Sequence, residues 1–350
     1  MNDSKVRVLI VDDSVLMRKL LGIILTSDSR IEIVGTAKDG VDGLAKVRAL
    51  SPDVVTLDVD MPNKDGLEML EEMMKTHPLP VIMVSSLTQE GAQVTLKALS
   101  LGCVDFVAKP SGTFSLDSRD VAADLIAKVI MAKSARLHSL PKVRGAETPK
   151  PAAPRRLGRR EIVAVAASTG GPMALHQLMA DLPGDFPVPI VITQHMPKEF
   201  TASFAKRLDS ASELSVAEAA EGMQLRPGLA VVAPGGSHLI VKRRIPGGAF
   251  CGLSDAPPVL SVKPSANIMF SSVAEEFGGN VVGVILTGMG RDGTDGAAVL
   301  RSKGAYIIAE SQETCVVYGM SKAAAEAGVV DELLPLTDIA EALVRCVKGV

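Results

Sequence analysis

The chain has 350 residues, 47% of them apolar, enough for two domains of ordinary size with sizeable cores. A net charge of −3 gives no basis for nucleic-acid binding, and no apolar run reaches membrane-spanning length, so neither nucleic acid nor direct membrane insertion is expected. Cys103, Cys251, Cys315 and Cys346 lack metal or disulfide spacing, and Met-Asn-Asp-Ser-Lys leads straight into a strand without a signal peptide, which points to the cytoplasm.

Strands and helices alternate through the first part of the chain. Val6–Val11, Ile31–Val34, Val54–Leu57, Val81–Val84 and Asp105–Val107 read as buried strands. Val15–Leu25, Val41–Leu50, Leu67–Lys75, Ala92–Leu101 and Val121–Lys133 have helical periodicity. Five such units imply a parallel sheet covered on both faces, a (βα)5 domain over residues 1–135. Its polar residues fall at strand ends: Asp12 and Asp13 after the first strand, Asp58 after the third, Ser85 after the fourth, Lys109-Pro110 after the fifth. Three carboxylates at one edge repel one another, and a hard cation such as Mg²⁺ relieves the repulsion. A lysine and a hydroxyl beside them can hold an anionic oxygen. Together these groups suit phosphoryl transfer to an aspartate. Ordinary helix-capping aspartates would not bring four separate loops into agreement.

Residues 136–158 change character. Pro141, Pro149, Pro151 and Pro154 stand among many Lys and Arg residues, which reads as a flexible linker.

The remainder, 159–350, is again α/β. Ile162–Ala167 reads as a buried strand ending in Ser168-Thr169-Gly170-Gly171-Pro172, a tight turn and helix start. Helix Met173–Ala180, strand Val188–Thr193 ending in Gln194-His195, and helix Lys198–Leu208 follow. Leu229–Ala233 and Leu239–Lys242 flank Pro234-Gly-Gly-Ser-His238 and read as a hairpin. Helix Pro264–Phe277 precedes strand Val281–Leu286, which opens into Thr287-Gly-Met-Gly-Arg-Asp-Gly293. Helix Thr294–Lys303, strand Tyr306–Ala309 and helix Thr337–Val347 complete the set. The expected fold is a doubly wound, mostly parallel sheet with some antiparallel edge strands.

In such a sheet, ligands bind beyond the carboxyl ends of the strands. Ser168 there is a plain helix cap or a nucleophile. His195 and Asp292 leave two further strands, so a Ser-His-Asp triad is plausible. Gly-x-Ser-x-Gly is absent, so this is not the common hydrolase elbow. A rival exists: Gly288-Met-Gly290-Arg-Asp-Gly293 is a literal G-x-G-x-x-G, with Glu310 near the position of a ribose-binding acid. On spacing alone the second domain could bind a dinucleotide, or only a partner. Against this, Asp292 would put a negative charge where the pyrophosphate belongs, and Ser168 and His195 would be left unexplained.

Two family resemblances bear on the choice. Asp12-Asp13, Leu57-Asp58-Val59-Asp60-Met61-Pro62, Ser85, Phe106 and Lys109-Pro110 resemble a two-component receiver domain. The resemblance implies Asp58 as phosphoacceptor and Mg²⁺ held by Asp13, Asp58 and the Asp60 carbonyl with Asp12 assisting. It also implies Ser85 and Lys109 as phosphate readers and Phe106 as an aromatic switch. Ala167-Ser-Thr-Gly-Gly171, Gln194-His-Met-Pro197, Ala233-Pro-Gly-Gly236 with His238, and Leu286-Thr-Gly-Met-Gly-Arg-Asp-Gly293 resemble the catalytic domain of chemotaxis protein-glutamate methylesterases.

That second resemblance implies Ser168 as nucleophile, His195 as base, Asp292 as orienting acid, and the Met289 and Thr169 N–H groups as oxyanion donors, with no cofactor in the esterase site. It implies methylated chemoreceptor cytoplasmic domains as substrate, deamidation of certain receptor glutamines, and a chemotaxis histidine kinase as phosphodonor. Asn267 stands where an aspartate is common, and Ser321 where a proline is common. Neither is expected to touch the triad.

Overall fold

The computed structural model describes residues 5–86, 88–109, 116–135, 160–244 and 246–349. The expected linker and Pro110 lie outside them. The chain divides into two compact units, Met1–Ser139 and Leu140–Val350. Among the described residues no helix is long and apolar enough to cross a membrane.

In the first unit β1 (Val6–Val11), α1 (Val15–Thr26), β2 (Ile31–Ala37), α2 (Gly40–Leu50), β3 (Val54–Asp58), α3 (Gly66–Thr76), β4 (Val81–Ser85), α4 (Gln89–Ser100), β5 (Asp105–Ala108) and α5 (Leu116–Ala132) alternate as expected. The parallel sheet has the order β2-β1-β3-β4-β5. The strands read as continuous apolar runs because helices cover both faces. Local chemistry starts the helices: Ser14, Asp39 and Thr88 accept a backbone N–H at the starts of α1, α2 and α4, and Asp65 with Glu68 forms a reciprocal capping box on α3. Strand order reverses between β1 and β3, which opens a crevice at their carboxyl ends. Asp12 and Asp58 stand there.

The second unit begins with β6 (Ile162–Ala167), α6 (Gly171–Asp181), β7 (Ile190–Gln194), α7 (Lys198–Ala211), β8 (Ser215–Glu218), β9 (Gln224–Leu225), β10 (Leu229–Val232), β11 (His238–Arg244) and β12 (Gly248–Ser254). It continues with α8 (Ala266–Phe277), β13 (Val281–Ile285), α9 (Thr294–Ser302), β14 (Tyr306–Glu310), α10 (Met320–Glu326), β15 (Glu332–Leu334) and α11 (Leu336–Lys348). Seven strands make one parallel sheet, ordered β15-β14-β13-β6-β7-β10-β8. The antiparallel strands gather in a separate sheet, β11-β12-β9.

The expected Leu229–Lys242 hairpin does not form. β10 pairs in parallel with β7 and β8, while β11 pairs with β12, so the Pro234–Ser237 turn carries the chain from one sheet to the other. An all-apolar run such as Leu229–Val232, buried on both faces, suits a central parallel strand better than an exposed hairpin. The core is built from few aromatics, but Phe186, Phe200, Phe204 and Phe270 are all fully buried in this unit. Helix α7 buries Phe200, Phe204 and Leu208, one residue per turn along one face. Alanines at positions 164, 166 and 167 of β6 keep the central strand slim between its covering helices. The order reverses between β6 and β13, which sets the second crevice between Ser168 and the 287–293 loop.

Candidate active site

Parallel pairing brings the candidate residues to one edge of the sheet. Ala167 is in register with Gln194, so the next residues, Ser168 and His195, leave the sheet side by side. The His195 N–H donates to Ala167 O (3.1 Å), and the Ser168 N–H donates to Thr287 O (3.0 Å), which ties the tip of β6 to the tips of β7 and β13. The side chains then form an unbroken chain: Ser168 Oγ lies 3.0 Å from His195 Nδ1, and His195 Nε2 lies 2.8 Å from Asp292 Oδ2.

The ring nitrogens have distinct roles. The Asp292 carboxylate also accepts the Ser265 hydroxyl on Oδ1 (2.7 Å), the Ala266 N–H on Oδ2 (2.6 Å) and the Asn267 N–H on Oδ1 (3.1 Å). A carboxylate so surrounded is an acceptor, so the neutral imidazole carries its proton on Nε2. Nδ1 is left with its lone pair toward the serine hydroxyl. In the serine-protease arrangement Nε2 faces the serine; here Nδ1 does. Turning the ring over about Cβ–Cγ would present carbons to both partners. Burial pushes the Asp292 carboxyl up, but the hydrogen bond and charge of His195, with the Ser265 and Ala266 donors, outweigh it and hold the group below the ordinary carboxylate value. The His195 ring therefore faces a buried, ionised carboxylate, while its own side chain is 12% exposed.

Gly288 lets the loop approach Ser168. A Cβ there would come within 2.7 Å of Ser168 Cβ and would run into the Met320 sulfur. Its N–H donates to Val317 O, and its carbonyl accepts the N–H groups of Gly319 and Met320. The next N–H, that of Met289, has no hydrogen-bond partner among the described residues. An unengaged donor beside a nucleophile is what an oxyanion site requires. Thr169 is buried directly after Ser168, and its carbonyl accepts the Thr287 hydroxyl at 2.9 Å. Gly170, at φ 77°, is the left-handed turn that starts α6.

Several supporting residues escaped the sequence reading. Gln194 Nε2 donates to the carbonyls of both Ser168 and His195, each at 3.0 Å, and so clamps the tip of β6 to the tip of β7. Its signals were an amide ending an apolar strand and its place in the Gln194-His-Met-Pro197 motif, neither of which showed this clamp. Ser265 gave none. Asn267 corrects an expectation: its backbone N–H does touch Asp292, and its side-chain Oδ1 accepts the N–H groups of Gly293 (3.0 Å) and Gly296 (2.8 Å). Ser321 is buried and donates to Ile285 O and Leu286 O behind the catalytic loop, without reaching the triad. Glu310 is fully buried and accepts the Thr287 N–H at 2.8 Å, so it is not available to a ribose. Burial raises its carboxyl to about 7, against the Thr287 hydrogen bond. The G-x-G-x-x-G loop is thus committed to presenting Asp292 inward.

The first unit brings Asp12, Asp13 and Asp58 together, with one ligand oxygen from each within 4.8 Å of the others. Asp58 Oδ1 accepts the Val59 N–H at 2.7 Å, and Oδ2 lies 2.7 Å from Lys109 Nζ. Burial raises Asp58 to about 6 although Lys109 pulls the other way. Asp12 Oδ1 accepts the Ser14 N–H, whereas Oδ2 is buried without a hydrogen bond, and Lys109 Nζ stands 3.8 Å away. An acceptor-only trio of hard oxygens, one of them buried and unsatisfied, fits a Mg²⁺ ion. Asp60 is exposed and its carboxylate is not part of this trio. Ser85 is buried at the end of β4, next to Val84, the register partner of Asp58. Phe106 is buried on β5, where the Lys128 ammonium lies 5.6 Å from its ring centre.

Residues 163–343 match a family model described as CheB methylesterase, and residues 8–119 match one described as response regulator receiver domain. A protein of Symbiobacterium thermophilum named protein-glutamate methylesterase/protein-glutamine glutaminase is 47% identical, across 98% of this chain and 97% of its own length. A protein of Lawsonia intracellularis with the same name is 46% identical, across 96% and 97%. The crystal structure of the Thermotoga maritima CheB methylesterase catalytic domain is similar with a TM-score of 0.52 and 43% identity, covering 54% of this chain and 99% of that domain.

Proposed function

The chain belongs to the family of protein-glutamate methylesterases that carry a receiver domain, and from that premise we propose a phosphorylation-controlled serine hydrolase acting on glutamyl methyl esters of chemoreceptor cytoplasmic domains. The receiver is assigned to residues 1–135, a linker to 136–158 and the esterase to 159–350. The protein works in the cytoplasm, with a chemotaxis histidine kinase as phosphodonor.

The observation that carries this reading is the continuous Ser168–His195–Asp292 hydrogen-bond chain. Ser168 Oγ attacks the ester carbonyl carbon as His195 Nδ1 takes its proton. The ionised Asp292 stabilises the imidazolium that results. The Met289 N–H, with that of Thr169, holds the oxyanion. The imidazolium returns its proton to the methoxy oxygen, methanol leaves, and the glutamyl group stays esterified to Ser168. A water deprotonated by His195 then releases the carboxylate and restores the serine. With a glutamine substrate the same steps expel ammonia. The dinucleotide reading falls, because its acid and its loop are already occupied within the esterase fold.

In the receiver, Asp58 accepts the phosphoryl group. Asp13, Asp58 and the Asp60 carbonyl, with Asp12 assisting, would hold Mg²⁺, which when bound would neutralise charge on the phosphoryl oxygens. Lys109 and Ser85 read the phosphate, and Phe106 relays the change. The test is methanol release from methylated receptors, with and without a small-molecule phosphodonor. No release from any methylated receptor would overturn the reading.

A further inference from the structure

All three additional donors to Asp292 come from one stretch, Ser265 to Asn267, at the start of α8. Ser265 is the N-cap residue, is fully buried, and makes no side-chain bond to its own helix. A capping serine ordinarily gives its oxygen to the second or third helical N–H. Here its hydroxyl is committed to Asp292, so something else must hold the residue. Its backbone N–H donates to His238 Nδ1 at 3.0 Å, and His238 Nε2 lies 3.1 Å from the Pro257 carbonyl.

Neither partner can exchange roles. A carbonyl only accepts, so Nε2 bears the proton. A backbone N–H only donates, so Nδ1 bears the lone pair. His238 opens β11, is 0% exposed, and is held as one neutral tautomer. A continuous path of hydrogen bonds therefore runs from Pro257 through His238, Ser265, Asp292 and His195 to Ser168.

We propose that His238 is a positioning residue of the esterase, acting through Ser265 to aim the Asp292 carboxylate at His195. It touches neither substrate nor reacting atoms. The proposal rests on the triad reading, so its test uses a probe that needs only an activated serine. That probe is a fluorophosphonate, which loses fluoride as Ser168 Oγ bonds to phosphorus and His195 takes the hydroxyl proton. Mass spectrometry identifies the labelled residue in the full-length protein.

Wild type is labelled at Ser168; labelling elsewhere or nowhere overturns the triad reading itself and the proposal with it. His238→Leu, which keeps the bulk but offers Ser265 no acceptor, is labelled about 10- to 100-fold more slowly, the scale expected when a catalytic group is misplaced by a fraction of an ångström to an ångström. His238→Asn, whose Oδ1 can stand in for Nδ1, recovers most of that rate. Ser265→Ala slows labelling comparably. The His238→Leu/Ser265→Ala double variant is little slower than the slower single, because both act along one path. In methanol release the loss falls on kcat with KM little changed. Labelling of His238→Leu at the wild-type rate overturns the proposal. So does an equal loss in His238→Asn, or fully additive losses in the double variant. If His238→Leu does not fold, a wild-type rate for Ser265→Ala overturns it as well.

Discussion

Asp292 and Asn267 cap one another's helices. The Asp292 carboxylate, which precedes α9, accepts the Ala266 and Asn267 N–H groups that begin α8. The Asn267 carbonyl oxygen, in the first turn of α8, accepts the Gly293 and Gly296 N–H groups that begin α9. Neither helix has a side-chain cap from its own N-cap residue. The positive end of α8 thus helps keep Asp292 ionised, and the amide at 267 supplies its cap without adding a second charge beside it. Asn267→Ala should leave two buried N–H groups unpaired and cost about 1–3 kcal/mol. Asn267→Asp should retain the cap but crowd two carboxylates together. Denaturant unfolding checks the first, expected to show a lower midpoint than wild type; an unchanged midpoint counts against the capping role.

Ser168→Ala should abolish ester hydrolysis while leaving thermal unfolding close to wild type, since a hydroxyl at a strand tip bears little packing. His195→Ala should be similarly severe and Asp292→Ala less so, with losses of several orders of magnitude for triad members in general. Methanol release decides. Near-normal turnover by folded Ser168→Ala removes the nucleophile assignment.

Glu310 gives stability a pH dependence of determinate sign. Burial raises its carboxyl from 4.5 to about 7 in the folded state. Between those values the unfolded chain ionises while the folded protein keeps its proton. Glu310's contribution is therefore most favourable below pH 4.5, declines through that window and is flat above about 7, a loss of about 3 kcal/mol for this group. Glu310→Gln retains an acceptor for the Thr287 N–H and cannot ionise. It should gain on wild type as pH rises from 5 to 8 in parallel denaturant titrations. A constant difference between the two proteins would remove the assignment.

Leu260 and Ser261 occupy a two-residue turn closed by reciprocal hydrogen bonds between Val259 and Val262, and both have positive φ, 51° and 64°. Such turns favour Asn-Gly, because in the left-handed region a Cβ crowds the following carbonyl oxygen, which glycine avoids and asparagine tolerates. Leu260 is also 51% exposed, so little packing compensates. Replacing the pair with Asn-Gly should stabilise the esterase by about 1 kcal/mol. Thermal unfolding should show a higher midpoint, and a lower one would mean the leucine makes a contact that outweighs the strain.

Asp58→Asn should lose stimulation by acetyl phosphate with Mg²⁺. A protein truncated to begin at Arg159 should be indifferent to the phosphodonor. Methanol release by both, with and without acetyl phosphate, checks this; stimulation surviving in Asp58→Asn would move the phosphorylation site elsewhere.

The sequence by itself determined the repeating strand–helix pattern of both units and the chemistry at their strand ends. Parallel strands buried on both faces are continuous apolar runs, so the first polar residue after each run marks the edge where a site can form. Ser168, Asp12 and Asp58 stand out for that reason, while His195 and Asp292 come later in the loops that leave their strands. Tertiary structure alone decided which strands are neighbours. The sheet pairing put β13 beside β6 rather than next to β12, and sent β11 to a separate sheet, contrary to the hairpin its turn suggested. It also decided which imidazole nitrogen meets the serine, because that depends on the angle at which β7 presents His195. The cradle of Asp292 was invisible for the same reason. His238, Ser265 and Asn267 look like ordinary loop and cap residues, and their hydrogen bonds span 19 to 29 positions of sequence. Local pattern reports what a residue can donate or accept. Only the packing of α8 against α9 and β11 fixes which distant group receives it.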